Sequence, residues 1–87
     1  MYQIVYTKKA VNDIKNLKSV KIDEKAKKLI EIIKKNPYQT PPPYEKLQGD
    51  LLGAYLRRIN IKHRFVYQII EEESVIKIIS LWTHYEF

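Results

Sequence analysis

The chain has 87 residues, of which 45% are hydrophobic, and it carries a formal net charge of +6 with no Cys. That length supports one modest core and therefore a single domain over residues 1–87, while the lack of Cys excludes a disulfide framework or a thiolate metal cluster. No apolar run approaches the roughly 20 residues that a membrane span requires, so we expect a soluble, cytoplasmic protein. With two His and no Cys the chain is not expected to hold a structural zinc ion, and we expect neither a metal nor a cofactor.

The first 36 residues predict one strand followed by two helices. β-Branched and aromatic residues indicate a strand over residues 2–6. Thr7 is placed to cap a helix whose apolar positions recur at helical spacing. A break near Ser19 separates this helix from a second amphipathic one, which ends at Asn36 because the residue before Pro37 avoids the helical conformation.

The net positive charge is confined to this helical part of the chain. Residues 1–36 hold ten Lys against four acidic residues, whereas the charges of residues 37–87 are balanced. A basic surface attracts polyanions, and nucleic acid is favoured over a membrane because no stretch combines Lys with a Trp/Phe/Leu face. A solvated Lys-rich helix face without a partner is the alternative that charge alone leaves open.

The remainder of the chain predicts a Pro-rich segment followed by three strands. Residues 37–44 contain all four Pro and favour a stiff, extended spacer over a partner-binding motif. Strand-like runs then cover residues 54–60, 63–70 and 75–85, with an acidic hairpin turn at residues 71–74. The order β-α-α-β-β-β predicts an α+β fold, with a mostly antiparallel sheet and two helices packed on one face.

The last three predicted strands carry an unusual number of cationic and His side chains for a sheet. Alternation sends Arg57 and Arg58 to opposite faces, so at most one of them can reach a given site. It also places Arg64 and Val66 on the face opposite to that of His63. Sequence alone does not tell which of these faces is exposed to solvent.

Four short segments occur in a fixed order along the chain: Glu45-Lys46-Leu47, residues 52–59, residues 63–67 and Thr83-His84-Tyr85. Together they resemble the YoeB/Txe toxins of the RelE/ParE toxin–antitoxin superfamily, over nearly the whole sequence. The resemblance implies a RelE-like fold and a type II toxin that inhibits translation by ribosome-dependent cleavage of mRNA in the A site. It also implies a cognate antitoxin with a flexible, acidic segment, and a homodimer by family analogy.

The resemblance also implies a catalytic set whose residue types suit RNA cleavage without a metal. Such cleavage needs a base for the 2′-hydroxyl proton, an acid for the leaving 5′-oxygen and cationic donors around the phosphate. Glu45 is implied as the base and His84 as the acid. Arg64 would hold the phosphate through parallel guanidinium bonds, and Tyr85 would orient or stack on a nucleotide.

The predicted site also contains three RNA-binding residues: Lys46, Arg57 and Arg58.

Two other functions are compatible with the sequence. A ParE-like protein would share the fold but bind and poison DNA gyrase without an acid–base pair, and the presence of Glu45 together with His84 favours the nuclease. A plain basic RNA-binding domain fits less well, because the chain has no RNP-like aromatic motif.

Overall fold

The computed structural model describes residues 1–47 and 53–83, and these residues form two α-helices and five strands. The helices are α1 (Lys8–Ser19) and α2 (Asp23–Lys35). The strands are β1 (Gln3–Tyr6), β2 (Tyr44–Lys46), β3 (Ala54–Arg58), β4 (Arg64–Ile70) and β5 (Val75–Thr83). Neither α1 nor α2, the helices of the described ranges, is long and apolar enough to cross a membrane.

The five strands form one mixed sheet in the order β1-β5-β4-β3-β2, in which only β1 and β5 are parallel. The predicted α+β fold, with a mostly antiparallel sheet, is confirmed. The strand β2 was not predicted, because three residues after a Pro run are too few to show alternation. This edge strand forms by antiparallel pairing with β3, where Glu45 lies opposite Leu56.

Thr7 begins α1 as predicted and also ties the helix to the sheet. Its Oγ1 accepts a hydrogen bond from the Ala10 N–H at 3.1 Å, as an N-cap residue should. The same hydroxyl donates to the Ile79 carbonyl of β5 at 2.7 Å. The start of α1 is therefore fixed against the strand that leads toward the chain's last residues.

The main core lies between the two helices and one face of the sheet. Its buried side chains come from α1 and α2 (Ala10, Leu17, Ala26, Leu29, Ile30 and Ile33) and from the strands and the β3–β4 turn (Ile59, Phe65, Tyr67, Ile76, Ile78 and Leu81). The helices thus cover the face that carries Phe65 and Tyr67. By alternation along β4, Arg64 and Val66 belong to the face away from the helices.

A smaller apolar cluster occupies the face away from the helices. It consists of Leu47, Ala54, Leu56 and Val66, with Ile79 packed against them. Ile79 follows Ile78 of the main core, so alternation along β5 places it on this opposite face. The β4–β5 pairing steps here from Val66↔Ser80 to Tyr67↔Ile78, which leaves Ile79 as an extra residue in a bulge. The predicted last strand is confirmed as far as Thr83, and its final two residues lie outside the described ranges.

Candidate active site

Glu45 lies on the edge strand β2, with an exposed side chain. Its partner Leu56 belongs to the apolar cluster on the face away from the helices, so Glu45 points to that face. Arg58 is two residues further along β3, on the same face and about 7–8 Å diagonally from Glu45 between Cα atoms. Glu45 and Arg58 line one shallow pocket of about 240 Å³.

Arg58 lies directly opposite Arg64 in the β3–β4 pair. Arg58 is exposed and Arg64 is half-buried. Two like charges at directly opposed positions destabilise a sheet, and a bound anion would remove that penalty. The pair therefore presents two guanidinium groups on the face that also carries Glu45, and a guanidinium group can donate two parallel hydrogen bonds to a phosphate.

Arg64 also pairs with Thr83, on the neighbouring strand β5. His84 and Tyr85 follow Thr83 directly in the sequence, and both lie outside the described residues. Connectivity alone links these two residues to the strand next to Arg64. Their predicted roles as acid and nucleotide-contacting residue stay predictions.

Arg57 is buried, in contrast to its predicted role in RNA binding. Its side chain is 1% exposed and lies on the face covered by the helices. The guanidinium donates from Nε to the Tyr67 hydroxyl at 2.9 Å and from Nη1 to the Pro42 carbonyl at 2.6 Å. Its Nη2 donates to the carbonyls of Pro37 and Gln39 at 3.0 and 2.9 Å. Arg57 is a structural residue, and of the two adjacent Arg only Arg58 faces solvent.

The bonds of Arg57 also change the interpretation of the Pro-rich segment. Three carbonyls between residues 37 and 42 accept from this one guanidinium, so the segment is held against the sheet and is more than a spacer. The Tyr44 ring lies 5.0 Å from the guanidinium carbon, in a cation–π arrangement. Burial raises the pKa of the Tyr67 phenol, and the hydrogen bond from Arg57, together with its positive charge, partly opposes that rise.

Lys46, also predicted to bind RNA, is exposed on β2. It pairs with Tyr55, and successive residues of a strand point to opposite faces. The structure consequently places Lys46 on the other face from Glu45. The predicted set thus divides, because Glu45, Arg58 and Arg64 share one face and Arg57 and Lys46 do not.

Asp13, which was not among the predicted residues, is a buried carboxylate of α1 that supports the end of β5. Its Oδ2 accepts from the backbone N–H groups of Leu81 and Trp82 at 3.0 and 3.2 Å and from Lys9 Nζ at 2.8 Å. Asp13 fixes the course of β5 just before Thr83. An acidic residue on the apolar stripe of α1, four residues after a Lys, was the available signal.

Within residues 1–47 and 53–83, no three acidic or His side chains are grouped as a metal site.

Comparison with known families identifies the class of protein that this fold and site define. Residues 6–85 match the YoeB-like toxin of bacterial type II toxin–antitoxin systems. The chain belongs to this family, which lies within the RelE/ParE superfamily and whose members are generally ribonuclease toxins. The toxin YoeB of Synechocystis sp. is 36% identical over 75 residues, which cover 86% of this chain and 78% of that protein.

Solved structures agree with this assignment over almost the whole chain. The YoeB/ParE toxin from Agrobacterium tumefaciens has a TM-score of 0.85 at 29% identity, and the match covers 95% of this chain and 99% of that one. A chain of the heterotetrameric YoeB–YefM toxin–antitoxin complex from Staphylococcus aureus has a TM-score of 0.80 at 33% identity, with 98% and 99% covered. The resemblance carried by the four sequence segments is thereby confirmed.

Proposed function

We propose that this toxin is a ribosome-dependent endoribonuclease that cleaves mRNA in the A site and so inhibits translation. The observation that carries the proposal is the juxtaposition of the Glu45 carboxylate with Arg58 in one pocket, where Arg58 is paired across the sheet with Arg64. A carboxylate beside two guanidinium groups combines a proton acceptor with donors for a phosphate. These are two of the three functions that metal-independent RNA cleavage requires.

In the proposed reaction, Glu45 takes the proton of the 2′-hydroxyl group next to the scissile phosphate. The 2′-oxygen attacks the phosphorus and the bond to the 5′-oxygen breaks, leaving a cyclic phosphate on the upstream fragment. Arg64, assisted by Arg58, donates to the non-bridging oxygens, on which negative charge accumulates in the transition state. His84 gives its proton to the leaving 5′-oxygen, and Tyr85 orients or stacks on a substrate nucleotide.

The proposed partners follow from the charge distribution and from the relatives. The ten Lys of residues 1–36 suit an encounter with the ribosome, a large polyanion. The Staphylococcus aureus relative was solved as a complex with its antitoxin YefM. We propose that this chain likewise has a cognate antitoxin with a flexible, acidic segment. A homodimer stays a prediction from family analogy.

A reconstituted translation system tests the proposal. The purified toxin is added to a defined message with and without ribosomes, and primer extension maps the cuts. We expect discrete stops within A-site codons only when ribosomes are translating. Glu31→Ala removes an exposed carboxylate of α2, remote in sequence from Glu45, and serves as a matched control that should cleave like the wild type.

Two results would contradict the proposal. Equal cutting of naked RNA at the same toxin concentration would remove the ribosome dependence. Intact mRNA together with gyrase-linked DNA breaks in cells that express the toxin would support the ParE-like alternative. The first result is read from the reconstituted system, and the second is read from RNA and DNA gels of the same cultures.

A further inference from the structure

Two side chains of α1, Lys9 and Asp13, are joined by polar contacts to the last residues of β5. Asp13 Oδ2 accepts from the backbone N–H groups of Leu81 and Trp82 at 3.0 and 3.2 Å. Lys9 Nζ donates to the same oxygen at 2.8 Å and to Ser80 Oγ at 3.1 Å. The proposed catalytic set contains neither residue of α1, so these contacts have no role yet in the reaction.

The part of β5 that these contacts hold is irregular. Its pairing with β4 steps from Val66↔Ser80 to Arg64↔Thr83, so two residues of β5 oppose one of β4 and form a β-bulge, which we call the 81–82 bulge. Successive N–H groups of a regular strand point in opposite directions, whereas both N–H groups of this bulge donate to one carboxylate oxygen. A bulge re-aims the residues that follow it and is common beside active sites.

The 81–82 bulge is held from two sides. On the side of α1, Asp13 is 5% exposed, and the ion pair with Lys9 compensates its buried charge. On the side of β4, the Trp82 ring lies 4.3 Å between centroids from the ring of His63, the residue that precedes Arg64. The course of the chain at the bulge is therefore fixed relative to both α1 and the beginning of β4.

We propose that the Lys9–Asp13 pair positions the end of β5 for cleavage and acts through the 81–82 bulge. The bulge is directly followed by the residue that pairs with Arg64, and His84 comes one position later in the sequence. The direction in which the chain leaves the bulge then governs how the acid meets a phosphate held by Arg64, and a displacement of about 1 Å is enough to slow catalysis. This role rests on the proposed function, whereas the support of the bulge does not. Both residues are positioning residues, because they act on the reaction only through β5.

The fluorescence of Trp82 tests the support of the bulge without any cleavage, since this is the one Trp of the chain. Asp13→Asn keeps the shape of the side chain and removes its charge, so the bulge should open locally. We expect the constant for quenching by acrylamide to rise at least about 1.5-fold. Glu31→Gln makes the same change at an exposed position of α2 and should be quenched like the wild type. Equal quenching in all three proteins would overturn the proposal.

Single-turnover cleavage on ribosomes tests the positioning. Asp13→Asn should cleave at least about tenfold more slowly than the wild type, while its ribosome affinity in pelleting stays within about threefold. Thermal melts select an assay temperature at which every variant is folded, so loss of folded protein does not contribute to the rate. Cleavage at the wild-type rate by Asp13→Asn would overturn the proposal.

Lys9→Met tests the pair without a change at the buried position. The Lys9 side chain is 59% exposed, so this variant should fold. Lys8→Met removes the same charge at the exposed neighbouring position and accounts for any effect of charge on ribosome affinity. Lys9→Met should cleave at least about threefold more slowly than Lys8→Met, because it also loses the contacts with Asp13 and β5. Equal rates for these two variants would overturn the role of the pair.

A message with sulfur in place of the scissile 5′-oxygen identifies the step that is affected. A thiolate leaves without receiving a proton, so this substrate needs no general acid. It should restore cleavage by Asp13→Asn and by His84→Ala but not by Glu45→Ala, which still lacks the base. Rescue of His84→Ala without rescue of Asp13→Asn would overturn the proposal. A toxin that never cleaves mRNA would contradict the proposed function and leave the quenching of Trp82 to decide whether the pair supports the bulge, so the two failures can be distinguished.

Discussion

The Arg57 guanidinium and the Tyr67 hydroxyl form a buried relay between neighbouring strands of the sheet. Arg57 Nε donates to Tyr67 Oη at 2.9 Å, and Tyr67 Oη donates in turn to the Pro37 carbonyl at 3.1 Å. With the carbonyls that Arg57 itself binds, this relay fixes residues 37–42 against β3 and β4. Because β2 begins at Tyr44, directly after this segment, the relay also supports the strand that carries Glu45.

Arg57→Lys should therefore destabilise the fold. An ammonium group cannot reach all of the acceptors that the guanidinium satisfies, and unsatisfied buried acceptors are costly. We expect a loss of about 2–4 kcal/mol in the free energy of unfolding, measured by urea denaturation. Arg58→Lys, at the exposed neighbouring position, should change stability by less than about 0.5 kcal/mol. Unchanged stability with weakened ribosome binding in Arg57→Lys would restore the RNA-binding role predicted from sequence.

Glu45→Ala and His84→Ala should each reduce single-turnover cleavage on ribosomes by about 10²–10⁴-fold, the range for loss of a general base or acid. Because the Glu45 side chain is exposed on an edge strand, Glu45→Ala should leave the melting temperature nearly unchanged. The paired measurement is the cleavage rate and the thermal melt of each variant. Loss of activity in proportion to loss of stability would show that these residues are structural.

Arg64→Lys should fold normally and bind ribosomes within a few-fold of wild type, yet cleave at least about tenfold more slowly. Lys keeps the charge but not the planar pair of donors, and tenfold corresponds to about 1.4 kcal/mol of transition-state stabilisation. The experiment compares ribosome pelleting with single-turnover rates for the wild type, Arg64→Lys and Arg64→Ala. Cleavage at the wild-type rate by Arg64→Lys would leave Arg64 as a general cationic contact.

The phenols of Tyr2 and Tyr38 donate to the Glu71 carboxylate at 3.0 and 2.5 Å. These hydrogen bonds are the largest cause that raises the pKa of both phenols above the usual 10.0. The neutral phenol is the donor, so the stabilisation is complete below about pH 10 and is lost as the pH rises through the folded-state pKa.

Glu71→Ala should consequently let these two tyrosines ionise at lower pH. Ultraviolet titration of the folded protein measures the ionised phenols directly. The Glu71→Ala substitution should also make the free energy of unfolding fall less steeply above about pH 10 than it does in the wild type. Glu72→Ala, at the exposed position next to Glu71, is the control and should titrate like wild type. Identical titrations for all three proteins would show that Glu71 does not control these phenols.

Local sequence signals predicted most of the fold. The signals that begin and end the helices each depend on a few neighbouring residues, and each was placed correctly. These signals are Thr7, the break near Ser19 and Asn36-Pro37. The strand β2 could not be predicted, since three residues form a strand only through pairing with β3.

The site was predictable only where it depends on alternation. The pattern separated Arg57 from Arg58, but the choice of the buried one depends on carbonyls between residues 37 and 42, which the fold brings together. Asp13 was missed for the same reason, because the backbone N–H groups that donate to its carboxylate belong to β5, 68 and 69 residues away in sequence.

The position of β5 between β1 and β4 has a consequence for incomplete chains. β1 has β5 as its neighbour in the sheet, so a chain that stops before Val75 leaves the first strand without a partner and divides the core. A polypeptide that ends before Val75 therefore lacks the strand that joins β1 to the rest of the sheet, and we expect such a polypeptide not to fold.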